Sequence, residues 1–148
     1  MLCALGTTIR LAGSQENFTR IDHDYVIRAA QLALNAGCKT MVYNSSLGAN
    51  PNASSFYLRS KGQTEAALQA LGFTSLNIVR PSLLGGKRSE HRPGEAIALR
   101  VFSCLEPLIP RKYRIVPASR VAQCMHRMAM ESGAGVHILE SAAILGQE

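Results

Sequence analysis

The segment Ser54–Gly62, SSFYLRSKG, carries a tyrosine and a lysine four residues apart. Four residues is just over one helical turn, so in a helix Tyr57 and Lys61 share a face. Continuing at the same spacing, Thr64, Leu68 and Leu71 extend that stripe, and its far end is apolar. An apolar stripe faces a sheet or core. A charged lysine on it is costly unless something there uses the charge. The helix is expected over 55–71, closed by Gly72.

Outward from this helix the chain alternates. KTMVYN (39–44) reads as a strand, followed by the polar loop SSLGANPNAS. SLNIV (75–79) is the next strand, stopped at Arg80-Pro81 because proline cannot continue a central strand. Upstream, Val26, Ala29, Ala30 and Ala33 recur at helical spacing, so a helix is expected over 22–36 with Gly37 at its C-cap. MLCAL at the start is a short apolar strand, and LGTT leads from it into a loop. Downstream, GEAIALRVFSCL (94–105) and ASRVAQCMHRMAMES (118–132) read as helices, YRIV and GVHILE as strands. Strands alternating with helices of this length give an α/β fold with a largely parallel sheet, here as one domain over 1–148.

Composition sets the class. With 47% hydrophobic and 18% charged residues, the 148-residue chain has the balance of a soluble globular domain. No run of about eighteen apolar residues is present, and the first residues lack a signal peptide's basic region; no membrane partner is expected. Four cysteines (Cys3, Cys38, Cys104, Cys124) show no paired spacing, so neither disulfides nor zinc is expected and the cytoplasm is the natural compartment. The sequons at Asn17, Asn44 and Asn52 then carry no weight. The net charge of +6 raises nucleic acid, but the basic residues cluster only at RKYR (111–114) and GGKRSEHR (85–92), and aromatics are 5% of the chain. Without a stacking platform, nucleic acid is not the expected partner. His23, His91, His126 and His137 have no partner at ligand spacing, so no metal site is expected; the methionines around His126 read as core filler. RPGE (92–95) reads as a helix start, and Arg88 or Arg92 is a secondary candidate for substrate contact.

In a parallel α/β sheet, ligands bind at the carboxyl ends of the strands, where the following helices begin. Ser45 and Ser46 end the strand before the Tyr57 helix, so a serine hydroxyl, a phenol and an ammonium are expected on one rim. That set suits proton transfer to or from a substrate hydroxyl or carbonyl: the ammonium favours phenolate, and the serine holds the substrate oxygen. Tyr-x-x-x-Lys alone arises by chance with a probability of about 0.1 in such a composition. Its place after a serine-ended strand gives it meaning.

These residues resemble the short-chain dehydrogenase/reductase superfamily, whose catalytic set is Ser, Tyr and Lys in Tyr-x-x-x-Lys. ALGTT, IDHDYVIRAAQLALNAGCK, NSSLGA, FYLRSKGQTEAAL, VRPSLLGG and RPGE resemble, in order, its atypical branch of Tat-interacting-protein-type oxidoreductases and relatives of nucleotide-sugar epimerases. The resemblance implies a Rossmann-like fold and an NAD or NADP cofactor. It implies Tyr57 as acid/base, Lys61 tuning it while holding the nicotinamide ribose, and Ser46 or Ser45 orienting the substrate. Gly6 and Thr7, with Pro81, Ser82 and Leu83, would border the nicotinamide.

The sequence departs from that pattern in one respect: it contains no Gly-x-x-Gly-x-x-Gly turn, the element that seats the pyrophosphate. MLCALG would correspond to the superfamily's fourth strand. The expectation is a partial domain, its carboxyl-terminal two-thirds without the first strands, binding dinucleotide weakly or not at all. MLCAL would then be an exposed edge, open to a protein partner or to self-association. Two functions follow as expectations: an oxidoreductase or epimerase-like domain acting on an unidentified small molecule, or a non-catalytic interaction protein that keeps the fold.

Overall fold

Four parallel strands form the main sheet in the order β1-β2-β3-β6: β1 (Leu2–Cys3), β2 (Thr40–Asn44), β3 (Ser75–Arg80) and β6 (Gly135–Glu140). This computed structural model describes residues 1–85, 110–131 and 133–146; the helix read over 94–105, Arg88, His91, Arg92 and Cys104 lie outside them. In β2 and β3 both faces are covered, so their apolar runs are nearly continuous instead of alternating. Met41, Tyr43, Leu76 and Ile78 pack with Val26, Ala30 and Leu68; Val42 and Val79 pack with Val121, Cys124, Met125 and Ile144. Those two clusters are the two layers of helix on either side of a Rossmann-like sheet.

The first layer holds α3 (Tyr25–Asn35) and α4 (Phe56–Ala70), and α4 matches the expected helix within a residue at each end. Gly72 takes φ 78° just beyond it, the left-handed geometry that favours glycine. Its buried face is rotated from the expected stripe: Ser60, Lys61, Gly62, Thr64, Glu65 and Leu68 point inward, while Tyr57 stays partly exposed. Close approach of the preceding loop explains Gly62. A Cβ there would lie 2.2 Å from the Asn50 carbonyl carbon.

Upstream of α3 the structure differs from the sequence reading. The segment read as a loop folds into α1 (Ile9–Ala12) and α2 (Gln15–Thr19), each with a polar N-cap: Leu11 N–H donates to Thr8 Oγ1 at 3.2 Å and Asn17 N–H to Ser14 Oγ at 3.1 Å. A π-helical turn, Arg20–Asp24, joins α2 to α3. MLCAL is a shorter strand than expected, since only Leu2 and Cys3 pair with β2, and Leu5 is exposed. Among the described residues β1 is an edge of the sheet.

The second layer is α5 (Ala118–Glu131), with α6 (Ser141–Gly146), which the sequence reading did not anticipate, following β6. Of the methionines on α5, Met125 is core but Met130 is 75% exposed, so the filler reading fails for Met130. The strand read at YRIV is displaced: Arg111–Tyr113 is a 3-10 turn, and β5 (Val116–Pro117) pairs with β4 (Leu84–Gly85) in a small second sheet. Among the described residues no helix is long and apolar enough to cross a membrane, and no His/Cys/Asp/Glu group could hold a metal ion.

Candidate active site

Lys61 lies on the inner face of α4, 4% exposed. Its Nζ is 3.1 Å from Asp22 Oδ1 and donates to Tyr43 Oη at 3.2 Å. The π turn puts Asp22 there by aiming residue 22 at α4; its second carboxylate oxygen accepts the Thr7 N–H at 2.7 Å. Thr64 Oγ1 donates to the Asp22 carbonyl at 3.2 Å and closes the same junction. Gly6 runs alongside, where a Cβ would sit 3.1 Å from Asp22 Oδ1 and 3.8 Å from Lys61 Nζ. The LGTT turn is thus brought against the Asp22–Lys61 pair, Gly6 beside both and Thr7 bonded to Asp22.

Burial works against the Lys61 ammonium, but the charges of Tyr43, Asp22 and Tyr57 outweigh it and hold the lysine above its ordinary pKa. Burial likewise raises the Tyr43 phenol, more than Lys61 lowers it. Tyr43 is therefore neutral near pH 7, and Asp22 supplies the counter-charge that matters there. The Lys61 ammonium thus has an ion-pair partner in Asp22 and a hydrogen-bond acceptor in Tyr43.

Tyr57 stands one turn before Lys61 at 37% exposure, its ring edge-on to Phe18 at 6.0 Å between centroids. Phe18, fully buried, packs edge-on to Phe56 at 5.5 Å as well. The Tyr57 hydroxyl forms no hydrogen bond among the described residues. Ser46 is half-buried in the loop after β2, where its carbonyl accepts the Ala49 N–H at 3.1 Å. The two serines differ. Ser45 is buried and its hydroxyl donates to Glu65, whereas Ser46 is half-buried.

Glu65, buried, and Arg80, partly exposed, form a second ion pair, one turn along α4 from the first. Arg80 Nη2 donates to Glu65 Oε2 at 2.6 Å and Nε to Oε1 at 3.0 Å; Nη1 reaches Glu140 Oε1 at 3.3 Å. The hydrogen bond to Glu65 holds the Arg80 guanidinium above its ordinary pKa. Beyond Arg80, the buried Pro81 accepts the Leu47 N–H at 2.8 Å through its carbonyl. Ser82 is committed: its N–H donates to Ser141 Oγ at 2.5 Å and its hydroxyl to the Arg114 carbonyl. Leu83 is exposed, with its carbonyl accepting the Val116 N–H at 2.8 Å.

Asp22, Tyr43, Glu65 and Arg80 were not anticipated as members of the site. Tyr43 was within reach of period-two reasoning, since Met41 and Tyr43 share a strand face. His23 is paired with its neighbour Asp24 at 2.8 Å, His126 is exposed, and His137 contacts the Gly133 carbonyl at 3.0 Å; none joins the site.

No family model matches the chain. It is 40% identical over 144 residues to protein HTATIP2 of Rattus norvegicus, covering 97% of this chain and 59% of that protein. With mitochondrial protein fmp52 of Emericella nidulans it shares 45% identity over 97 residues, 66% of this chain and 42% of the relative. Among solved structures, UDP-N-acetylglucosamine 4-epimerase from Methanobrevibacter ruminantium M1 matches with a TM-score of 0.68 at 14% identity, over 94% of this chain and 54% of that one. WbmH of Bordetella bronchiseptica, in complex with NAD+, matches with a TM-score of 0.68 at 17% identity, over 95% and 52%. At such identities the structural matches show the fold alone. The matches span between 42% and 59% of the length of these proteins. By sequence it is a relative of HTATIP2 and fmp52, in the atypical branch of the short-chain dehydrogenase/reductase superfamily, and its fold is Rossmann-like.

Proposed function

We propose that residues 1–148 carry the catalytic end of an NAD(P)-dependent oxidoreductase or epimerase-like domain of the short-chain dehydrogenase type. One observation carries this reading: a lysine 4% exposed is held as an ammonium one turn from a partly exposed tyrosine on the same helix. In the reaction proposed, Tyr57 gives a proton to the oxygen of a substrate carbonyl, or takes one from the corresponding hydroxyl. Ser46 Oγ hydrogen-bonds the same oxygen and fixes its place. Lys61 keeps positive charge beside the phenol and donates an N–H to a ribose hydroxyl. A bound nicotinamide would supply the hydride acceptor or donor for the carbon bearing that oxygen.

The residues proposed for the nicotinamide–ribose end of NAD or NADP are Lys61 as a donor, Gly6 beside it without a side chain, and Pro81, Ser82 and Leu83 after β3. The pyrophosphate seat is not among residues 1–148, so weak binding is expected of this chain alone. The relatives named above are longer, and WbmH was solved with NAD+. A second reading is an interaction protein that keeps the fold without the chemistry, associating with a protein partner or its own copy through β1. Among the described residues β1 pairs on one side only and Leu2 is exposed, which favours it. For the compartment we propose the cytoplasm; the mitochondrial fmp52 relatives name the competing address, and cell fractionation decides between them.

Titration with NADH and NADPH, followed by cofactor fluorescence, tests the first reading. Saturable binding with a Kd below millimolar supports it, provided that Tyr57→Phe binds with a similar Kd and loses turnover in a screen of carbonyl substrates. A folded protein that binds neither cofactor up to millimolar concentration leaves the interaction reading in its place.

A further inference from the structure

Glu65 is 3% exposed and accepts hydrogen bonds from three donors on two different chain segments. Ser45 lies at the end of β2, immediately before Ser46. Arg80 is the last residue of β3, immediately before Pro81 and Ser82, and it reaches on to Glu140 at the end of β6. Glu65 itself follows Lys61 by four residues, one turn along the same inward face of α4. Ser46, Pro81 and Lys61 therefore each stand one residue, or one helical turn, from this carboxylate or a group tied to it. A carboxylate so buried has no water to replace a lost donor, so its partners are fixed in place together.

We infer that Glu65 is the positioning residue of the site. Resting on the oxidoreductase reading, the inference is that the Ser45–Glu65–Arg80 junction sets where Ser46 and the Pro81–Ser82 strip stand relative to Tyr57 and Lys61. Asp22–Lys61 anchors α4 to the π turn, and Glu65–Arg80 anchors it to the strand ends. Two anchors one turn apart fix both the rotation and the axial position of the helix, so Tyr57 has one place relative to Ser46. Glu65 touches no substrate in this scheme; it acts through Ser45 and Arg80.

Amide hydrogen exchange combined with NADH titration tests this on the whole chain, with Glu65→Gln and Ser45→Ala as variants. Glutamine keeps size and one acceptor but cannot hold Arg80 through two oxygens. Alanine at Ser45 cuts only the tie to β2 and leaves the ion pair, which keeps the test open if Glu65→Gln does not fold. Two reporter amides lie on the rim: Leu47 N–H, bonded to the Pro81 carbonyl, and Ser82 N–H, bonded to Ser141. Expected are at least about tenfold faster exchange at Leu47 in both variants and at Ser82 in Glu65→Gln, and an unchanged rate at Ile78 in β3. NADH binding should weaken at least about fivefold in both. Equal acceleration at Ile78 would mean a merely structural role and overturns the inference, as would an unchanged NADH Kd where wild type binds. Failure of wild type to bind NADH sinks the oxidoreductase reading instead. In that case the exchange pattern alone upholds the junction, if acceleration is confined to the rim, or overturns it, if it is not.

Discussion

Replacing Lys61 by methionine keeps the length and apolar stem of the side chain and deletes its charge. Asp22, 1% exposed, then loses the cation 3.1 Å from its Oδ1 and keeps only the Thr7 N–H on the other oxygen. Removing one partner of a buried pair costs about 3–5 kcal/mol, because the remaining charge has neither water nor counter-ion. A bound on that figure comes from protonation. A stranded carboxylate escapes by taking up a proton, and for an ordinary carboxyl of pKa near 3.9 this costs about 1.4 kcal/mol per pH unit, or about 4 kcal/mol at pH 7. Loss of the Lys61–Tyr43 hydrogen bond adds about 1 kcal/mol.

The pH dependence makes the prediction specific. Between pH 7 and pH 5 the penalty for Lys61→Met should shrink by about 2.7 kcal/mol, since protonating the stranded carboxylate becomes that much easier. The chain has no tryptophan, so urea unfolding followed by circular dichroism at pH 7, 6 and 5 is the assay. A penalty under about 1 kcal/mol at pH 7, the range of an exposed pair, would refute the buried ion pair. So would a large penalty that does not change with pH.

Gly62→Ala should destabilise by about 1–3 kcal/mol, because its Cβ would collide with backbone at Asn50 and Pro51 that cannot rotate away; Gly146→Ala, with nothing within 4 Å, is the control in the same urea series. Lys61 and Tyr43 both have folded-state pKa values above their ordinary ones. Their contribution is therefore fully present below about pH 10 and is lost as pH rises through the folded values, and Tyr43→Phe should flatten that alkaline fall in unfolding free energy measured from pH 8 to 12. Tyr57→Phe should change stability by less than about 0.5 kcal/mol in thermal melts, since the ring contacts with Phe18 survive.

What the sequence disclosed followed periodicity. α4 and the strands β2, β3 and β6 were legible because a helical stripe, short apolar runs and the stops at Gly72 and Arg80-Pro81 are local signals. The tyrosine–lysine pair was legible for the same reason: its spacing is the helical repeat. Asp22 was not, because a π turn shifts the face its residues present, and no sequence period announces the shift. Glu65 and Arg80 were read only as a helix position and a strand end; their pairing across fifteen residues is a tertiary fact. The short helices before α3 were passed over as loop, although Thr8 and Ser14 stand as N-caps that would have marked their starts.

The buried face of α4 bears on what the residues of this site can be asked to prove. Much of it is polar: Ser60, Lys61, Thr64 and Glu65 stand inward beside Gly62, and Leu68 is the apolar member. Removing one partner of either ion pair on this face strands the other, so Lys61, Asp22, Glu65 and Arg80 bear on stability whether or not the chain is catalytic. Tyr57 and Ser46 are different. One is partly exposed and held by its ring with the hydroxyl unused; the other stands beside a serine that has taken the structural hydrogen bond. Stability gives no reason for a phenol at position 57 instead of a phenyl ring. Of the members of this site, that hydroxyl is the one whose removal tests chemistry without testing the fold.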